Sequence, residues 1–183
     1  MTSPRARRGR GVALAAALLA GAAAVASEAA PASSPAGAEP PLQCSVRTVA
    51  QGRAGASVEL RYRLANGGPA AWWVLDWNTP FEPGWFGRYV EVWRDGQPLD
   101  YRGAMLKRGE PAADDYLRLP AGRARLARVD LAQAFDLSRP GRYRVVTALV
   151  LHDLVRDGER RPRGRDALVP RPLNCNPVEF ELR

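Results

Sequence analysis

Apolar and polar side chains alternate with a period of two along most of this chain. Leu42, Cys44, Val46 and Thr48 share one face of a first run. Val58, Leu60, Tyr62 and Leu64 share a face of a second, with Ser57, Glu59, Arg61 and Arg63 opposite. A strand with one buried and one wet face has this period. Further strands are predicted over 71–77, 86–94, 98–102, 116–119, 124–131, 143–151 and 178–182. Between them stand turn signals: Asn66-Gly67-Gly68-Pro69, Asn78-Thr79-Pro80, Asp95-Gly96, Pro120-Ala121-Gly122 and Ser138-Arg139-Pro140-Gly141. Residues 132–137 read as a short helical turn and 153–172 as a polar loop. Beyond the N-terminal segment no stretch keeps a 3.6-residue apolar period. About eight or nine short antiparallel strands with regular turns predict an all-β sandwich.

Tyr143 narrows the architecture. It follows Pro140-Gly141 at the entry to a late strand, the place of the tyrosine corner in immunoglobulin-like sandwiches. The cysteines are spaced differently from those of an antibody domain, so the expectation is a variant immunoglobulin-like β-sandwich.

The N-terminus departs from this pattern. Arg5, Arg7, Arg8 and Arg10 precede an apolar run over 12–26 that ends in Ala24-Val25-Ala26. A basic start, a short apolar core and a small-residue site predict a secretory signal peptide over 1–26, cleaved near Ala26. The run is shorter than the roughly 20 residues of a spanning helix, so no stable anchor is expected after cleavage. Residues 27–41 are nearly all Ala, Pro, Ser, Gly and Glu, which predicts a disordered linker. Residues 42–183 then form one domain of ordinary size. Export predicts a periplasmic or secreted location.

Charge changes the picture little. The formal net charge of +8 falls to +4 without the four signal arginines, and Lys107 is the sole lysine. An evenly spread +4 is no nucleic-acid footprint, so no nucleic-acid partner is expected. Cys44 and Cys175 flank the domain, and an even count in an exported chain predicts a disulfide. His152 is the sole histidine. Multi-histidine metal sites are therefore unavailable, and no Gly-x-Ser-x-Gly elbow or glycine-rich phosphate loop occurs. The expectation is a protein without catalytic residues, metal or cofactor, and not an enzyme.

The aromatic residues concentrate in the middle. Trp72, Trp73, Trp77, Phe81, Trp85, Phe86, Tyr89 and Trp93 are eight of the fourteen aromatics. Most are expected to fill the core. Alternation leaves Trp72, Tyr89 and Trp93 as candidates for a partly exposed binding patch. The six arginines and three acids over 156–171 read as a solvated loop, or alternatively as a docking loop for an acidic partner.

Several motifs in order carry a resemblance: Trp77-Asn78-Thr79-Pro80-Phe81-Glu82, Tyr101-Arg102-Gly103, Lys107-Arg108-Gly109-Glu110-Pro111, Asp114-Asp115-Tyr116, Phe135-Asp136-Leu137-Ser138 and Pro140-Gly141-Arg142-Tyr143. Together they resemble the immunoglobulin-like N-terminal domain that precedes the catalytic domain in bacterial peptidyl-lysine metalloendopeptidases of the deuterolysin type. In that family the zinc histidines and catalytic glutamate lie in the following domain, so no catalytic residue carries over. The resemblance implies a stand-alone accessory module that folds, masks or positions a secreted metallopeptidase. The alternative is an envelope or extracellular recognition module for glycan or another protein, using the aromatic patch. Lys107 and Arg108 fall in a segment that Gly109 and Pro111 mark as a loop, and loops on rigid sandwiches carry recognition residues. They are candidate binding residues, or else solvated charges pairing with Asp114 and Asp115.

Overall fold

The computed structural model describes residues 41–48 and 52–183. The predicted signal and linker lie outside the described residues, apart from Pro41. Eleven strands and three single 3-10 turns follow in order. The strands are β1 (Leu42–Thr48), β2 (Glu59–Asn66), β3 (Trp72–Leu75), β4 (Val90–Arg94), β5 (Gln97–Pro98) and β6 (Tyr116–Leu119). They continue with β7 (Ala124–Asp130), β8 (Gly141–Leu151), β9 (Leu154–Arg156), β10 (Arg171–Asn174) and β11 (Val178–Leu182).

All strand pairs are antiparallel, and they form three sheets. One is β1-β2-β7, one is β6-β3-β9, and the largest runs β10-β8-β4-β5 with β11 also on β8. Strand β8 is the hub. One edge pairs with β4, while the other pairs first with β11 over Gly141–Val145 and then with β10 over Ala148–Leu151. Its alternation is as predicted: Tyr143, Val145, Thr147, Leu149 and Leu151 are buried. The four apolar ones meet Val46, Val58, Leu60, Tyr62 and Leu64 of the β1-β2 layer in one apolar cluster. Each such side chain contributes about 1.5–3 kcal/mol on burial. The two buried hydroxyls of this layer face each other, Tyr62 Oη and Thr147 Oγ1 at 3.2 Å, so neither is left unpaired. At the entry to β8 the hydroxyl of Tyr143 donates to the carbonyl of Arg139 at 2.6 Å, the bond a tyrosine corner makes.

Between β10 and β11 the chain detaches from β8 for three residues, and two of these tie down β1. Cys175 is disulfide-bonded to Cys44, with Cα atoms 4.7 Å apart across a sequence separation of 131. Asn176 Oδ1 accepts from Val46 N–H and its Nδ2 donates to the Val46 carbonyl, both at 2.9 Å.

Four expectations need correction. The strand predicted over 86–94 begins only at Val90, because the chain bends at Gly87, where it packs against the Asn78 side chain. The strand predicted over 98–102 shrinks to Gln97–Pro98, although Asp95 and Gly96 adopt the positive φ values of the expected hairpin turn, 49° and 81°. The polar stretch 153–172 contains β9 and the start of β10. The strand predicted over 71–77 ends at Leu75, and both its faces are covered: Val74 joins the main core, while Leu75, with Trp77, Tyr116 and Val155, forms a second, smaller cluster.

Removing the disulfide with Cys44→Ala and Cys175→Ala together frees a loop of about 130 residues. The unfolding free energy is expected to fall by about 5 kcal/mol in the chain-entropy account. Urea denaturation measures it, and an unchanged midpoint would contradict the structural role of this bond.

Candidate functional site

Residues 76–87 leave β3 through a tight turn that only certain residues allow. Asn78 takes a left-handed φ of 53°, a conformation asparagine tolerates better than most. The Thr79 hydroxyl donates to the Asp76 carbonyl at 2.6 Å and closes the turn. Gly87 then passes so close that a Cβ there would overlap Asn78 Oδ1. Glu82 folds back so that its Oε2 accepts from Asn78 N–H at 3.0 Å.

Arg108 enters this turn from a second loop. Its guanidinium pairs with Glu82 at 2.6 Å, and the two side chains are only 15% and 9% exposed. It lies 5.3 Å from the Trp77 ring centroid and 5.9 Å from that of Phe86, within cation–π range. The Asn-Thr-Pro-Phe-Glu and Lys-Arg-Gly-Glu-Pro motifs, some 26 residues apart, therefore meet at one ion pair. Asp114 and Asp115 are not its partners. His152 lies at the border of this group, Nε2 at 3.5 Å from Asn78 Nδ2. Its pKa is lowered by burial first and by Arg108 second. Asp76 is pushed up from 3.8 to about 6, by burial first and then by Glu82 and Asp115, with Arg108 opposing.

Lys107, one residue before, turns outward and is exposed. Met105 and Leu106 are 74% and 52% exposed. The loop that carries them has no regular structure, yet it is held along its length. The Tyr101 hydroxyl donates to the Ala104 carbonyl at 2.9 Å, and Leu106 N–H donates to the Phe86 carbonyl at 3.0 Å. Arg165 donates through Nη1 to the Arg108 carbonyl and through its backbone N–H to Glu110 Oε2.

The aromatic candidates separate. Tyr89 is a correction: it is 1% exposed and stacks on Trp85 at 4.6 Å. It precedes β4, so the alternation of that strand does not govern where its ring points. Trp72 is half-buried on β3 against the main core. Trp93 is half-buried on β4, in a different sheet. It lines a shallow cavity of about 680 Å³ with Asp95, Gly96, Gly141, Arg142, Arg144, Glu179 and Glu181. The three therefore do not form one patch. Trp73, not singled out before, donates through Nε1 to Asp157 at 2.7 Å and carries Arg161 3.2 Å above its ring. Arg163 bonds Asp153 and Glu159. Much of the arginine-rich stretch is thus folded onto its own domain.

The arrangement around Arg108 has the character of a support. Among the described residues no group of three His, Cys, Asp or Glu side chains converges on a point where a metal ion would sit. Nor, among the described residues, is any helix long and apolar enough to cross a membrane.

No protein-family model matches the chain. Over 88 residues, 48% of its length, it is 33% identical to an extracellular protease of Aeromonas hydrophila. The match spans 25% of that protein.

Two variants test the support. Glu82→Ala leaves Arg108 charged and largely buried, and is expected to cost about 3 kcal/mol. Glu59→Ala breaks the exposed pair with Arg61 and is expected to cost less than about 1 kcal/mol. Equal losses in urea denaturation would show that Arg108–Glu82 is no stronger than a surface pair. Asp76 tests the electrostatics. Its folded pKa lies above its unfolded value, so the native state binds more protons and stability falls as pH rises from 3.8 to about 6. Asp76→Asn removes that loss. It should stabilise by about 1 kcal/mol near pH 8, given a half-exposed carboxyl, and have no effect near pH 3. Thermal melts at the two pH values check the sign.

Proposed function

We propose that this chain is an exported, non-enzymatic binding domain serving a secreted peptidase as an accessory, chaperone-like or inhibitory module. Residues 1–26 are its secretory signal, 27–41 a spacer, and 42–183 the working domain, delivered to the periplasm or beyond. The observation that carries the reading is the 33% identity to part of an extracellular protease. The geometry gives that similarity a direction. Two of the motifs resembling the deuterolysin-type N-terminal domain, Trp77–Glu82 and Lys107–Pro111, meet at a buried ion pair under an exposed loop. Such a loop on a rigid sandwich suits recognition.

A second reading has one observation in its favour. Trp93, between Arg142, Arg144, Glu179 and Glu181 on an open sheet face, combines an apolar platform with donors and acceptors, as glycan recognition requires. It remains the alternative function.

The test uses residues 42–183 and a purified lysine-specific zinc endopeptidase of the deuterolysin type. Size-exclusion chromatography is expected to show a complex, accompanied by slower peptide hydrolysis or a higher refolding yield of the peptidase. No complex and neither effect would overturn the proposal. Hydrolysis of casein by the domain alone would overturn its non-enzymatic character.

A further inference from the structure

We propose that residues 104–107 form the contact that enters the partner, as a segment offering two apolar side chains followed by a cation. The inference rests on the accessory reading above and identifies the surface that reading needs. The partner surface it fits is a peptide-binding cleft with an apolar subsite beside an acidic pocket.

Three observations converge on this segment. Among the described residues the exposed large apolar side chains are Met105, Leu106, Leu126 and Val169, and only Met105 and Leu106 are adjacent. Contiguous apolar exposure marks interaction surface, whereas single exposed residues need no explanation. Lys107 follows them, exposed, and is the sole lysine of the chain. The third is rigidity. Leu106, Arg108 and Glu110 each bond a residue distant in the chain, Phe86, Glu82 and Arg165, and Ala104 accepts from the Tyr101 side chain three residues before it, while the side chains of Met105, Leu106 and Lys107 project between these attachments. A segment fixed in its bound conformation loses little freedom on docking, which raises affinity without added contacts.

Charge order selects the kind of partner. Arg108 is neutralised by Glu82, so the cation this segment offers outward is Lys107. A shallow apolar surface alone would satisfy Met105 and Leu106 but leave Lys107 without a counter-charge. An extended cleft with an acidic pocket one residue beyond an apolar one satisfies all three. A peptidase has such a cleft.

Three variants of residues 42–183 are compared with wild type in binding to the endopeptidase named above. The double variant Met105→Ser, Leu106→Ser is expected to weaken affinity roughly 30-fold, and Lys107→Ala roughly tenfold, in the range of interface anchors. Trp93→Ala is expected to bind as wild type does. All three positions of the loop are exposed, so unchanged thermal melts are expected to accompany the losses. A readout without mutation uses the sole lysine. Acetic anhydride should acetylate Lys107 in the free domain and spare it in the complex, as read by mass spectrometry. If wild type binds but the loop variants bind equally well, or Lys107 stays fully reactive in the complex, the loop proposal is overturned and the accessory function stands. Binding lost in Trp93→Ala alone moves the contact to the other sheet and likewise overturns it. If wild type does not bind at all, both proposals fall together.

Discussion

The link between Cys175 and Cys44 holds the two main sheets to one another where strand pairing alone leaves a gap. Strand β8 exchanges β11 for β10 along one edge, and the residues between those partners have no ladder to join. Cys175 and Asn176 occupy that interruption and reach across to β1, the first by a covalent bond and the second by two hydrogen bonds. The long separation in sequence is what gives the bond its weight, since closing a large loop removes much freedom from the unfolded chain. With β1 fixed, β2 and β7 follow by pairing, and the apolar faces of β2 and β8 are brought into register. The same frame leaves the loops at the sandwich ends to be shaped by local contacts.

Arg108 shows how those local contacts work. The turn after Trp77 makes a small, mostly buried cup of carboxylate and ring faces, and the guanidinium fills it. Burial makes Glu82 without Arg108, or Arg108 without Glu82, unfavourable, so the two loops are stable only together. Asp76 beside them is driven toward protonation, by burial first and then by Glu82 and Asp115, with Arg108 opposing. What results is a fixed base under three exposed side chains that contribute little to the fold itself.

Much of this frame was legible in the residues. Strands β1, β2, β8 and β11 follow from two-residue alternation because each has one wet face. Strand β9 did not, because Leu154 and Val155 are both buried and three residues hold no period. Strand β10 carries Pro172 at the outer position of its sheet, where a missing N–H is harmless, yet a proline inside an arginine-rich stretch reads as loop. Tyr89 was misplaced by extending the alternation of β4 beyond its first residue. Lys107 and Arg108 look alike as neighbouring cations. Their opposite orientations depend on Glu82, far away in the chain, and on the left-handed turn at Asn78 that aims it. No local pattern records that meeting, though the glycine at 87 is its trace.

The paired bonds between Asn176 and Val46 have a further effect. β1 is the outermost strand of its sheet, and outermost strands invite a neighbouring molecule to continue the ladder. Here a single amide side chain imitates one residue of an incoming strand and occupies both polar groups of Val46. The opposite border, β7, presents Arg125 and Arg128 to solvent, so an approaching copy meets like charge. Runaway polymerisation through strand addition is thereby discouraged at both borders of this sheet.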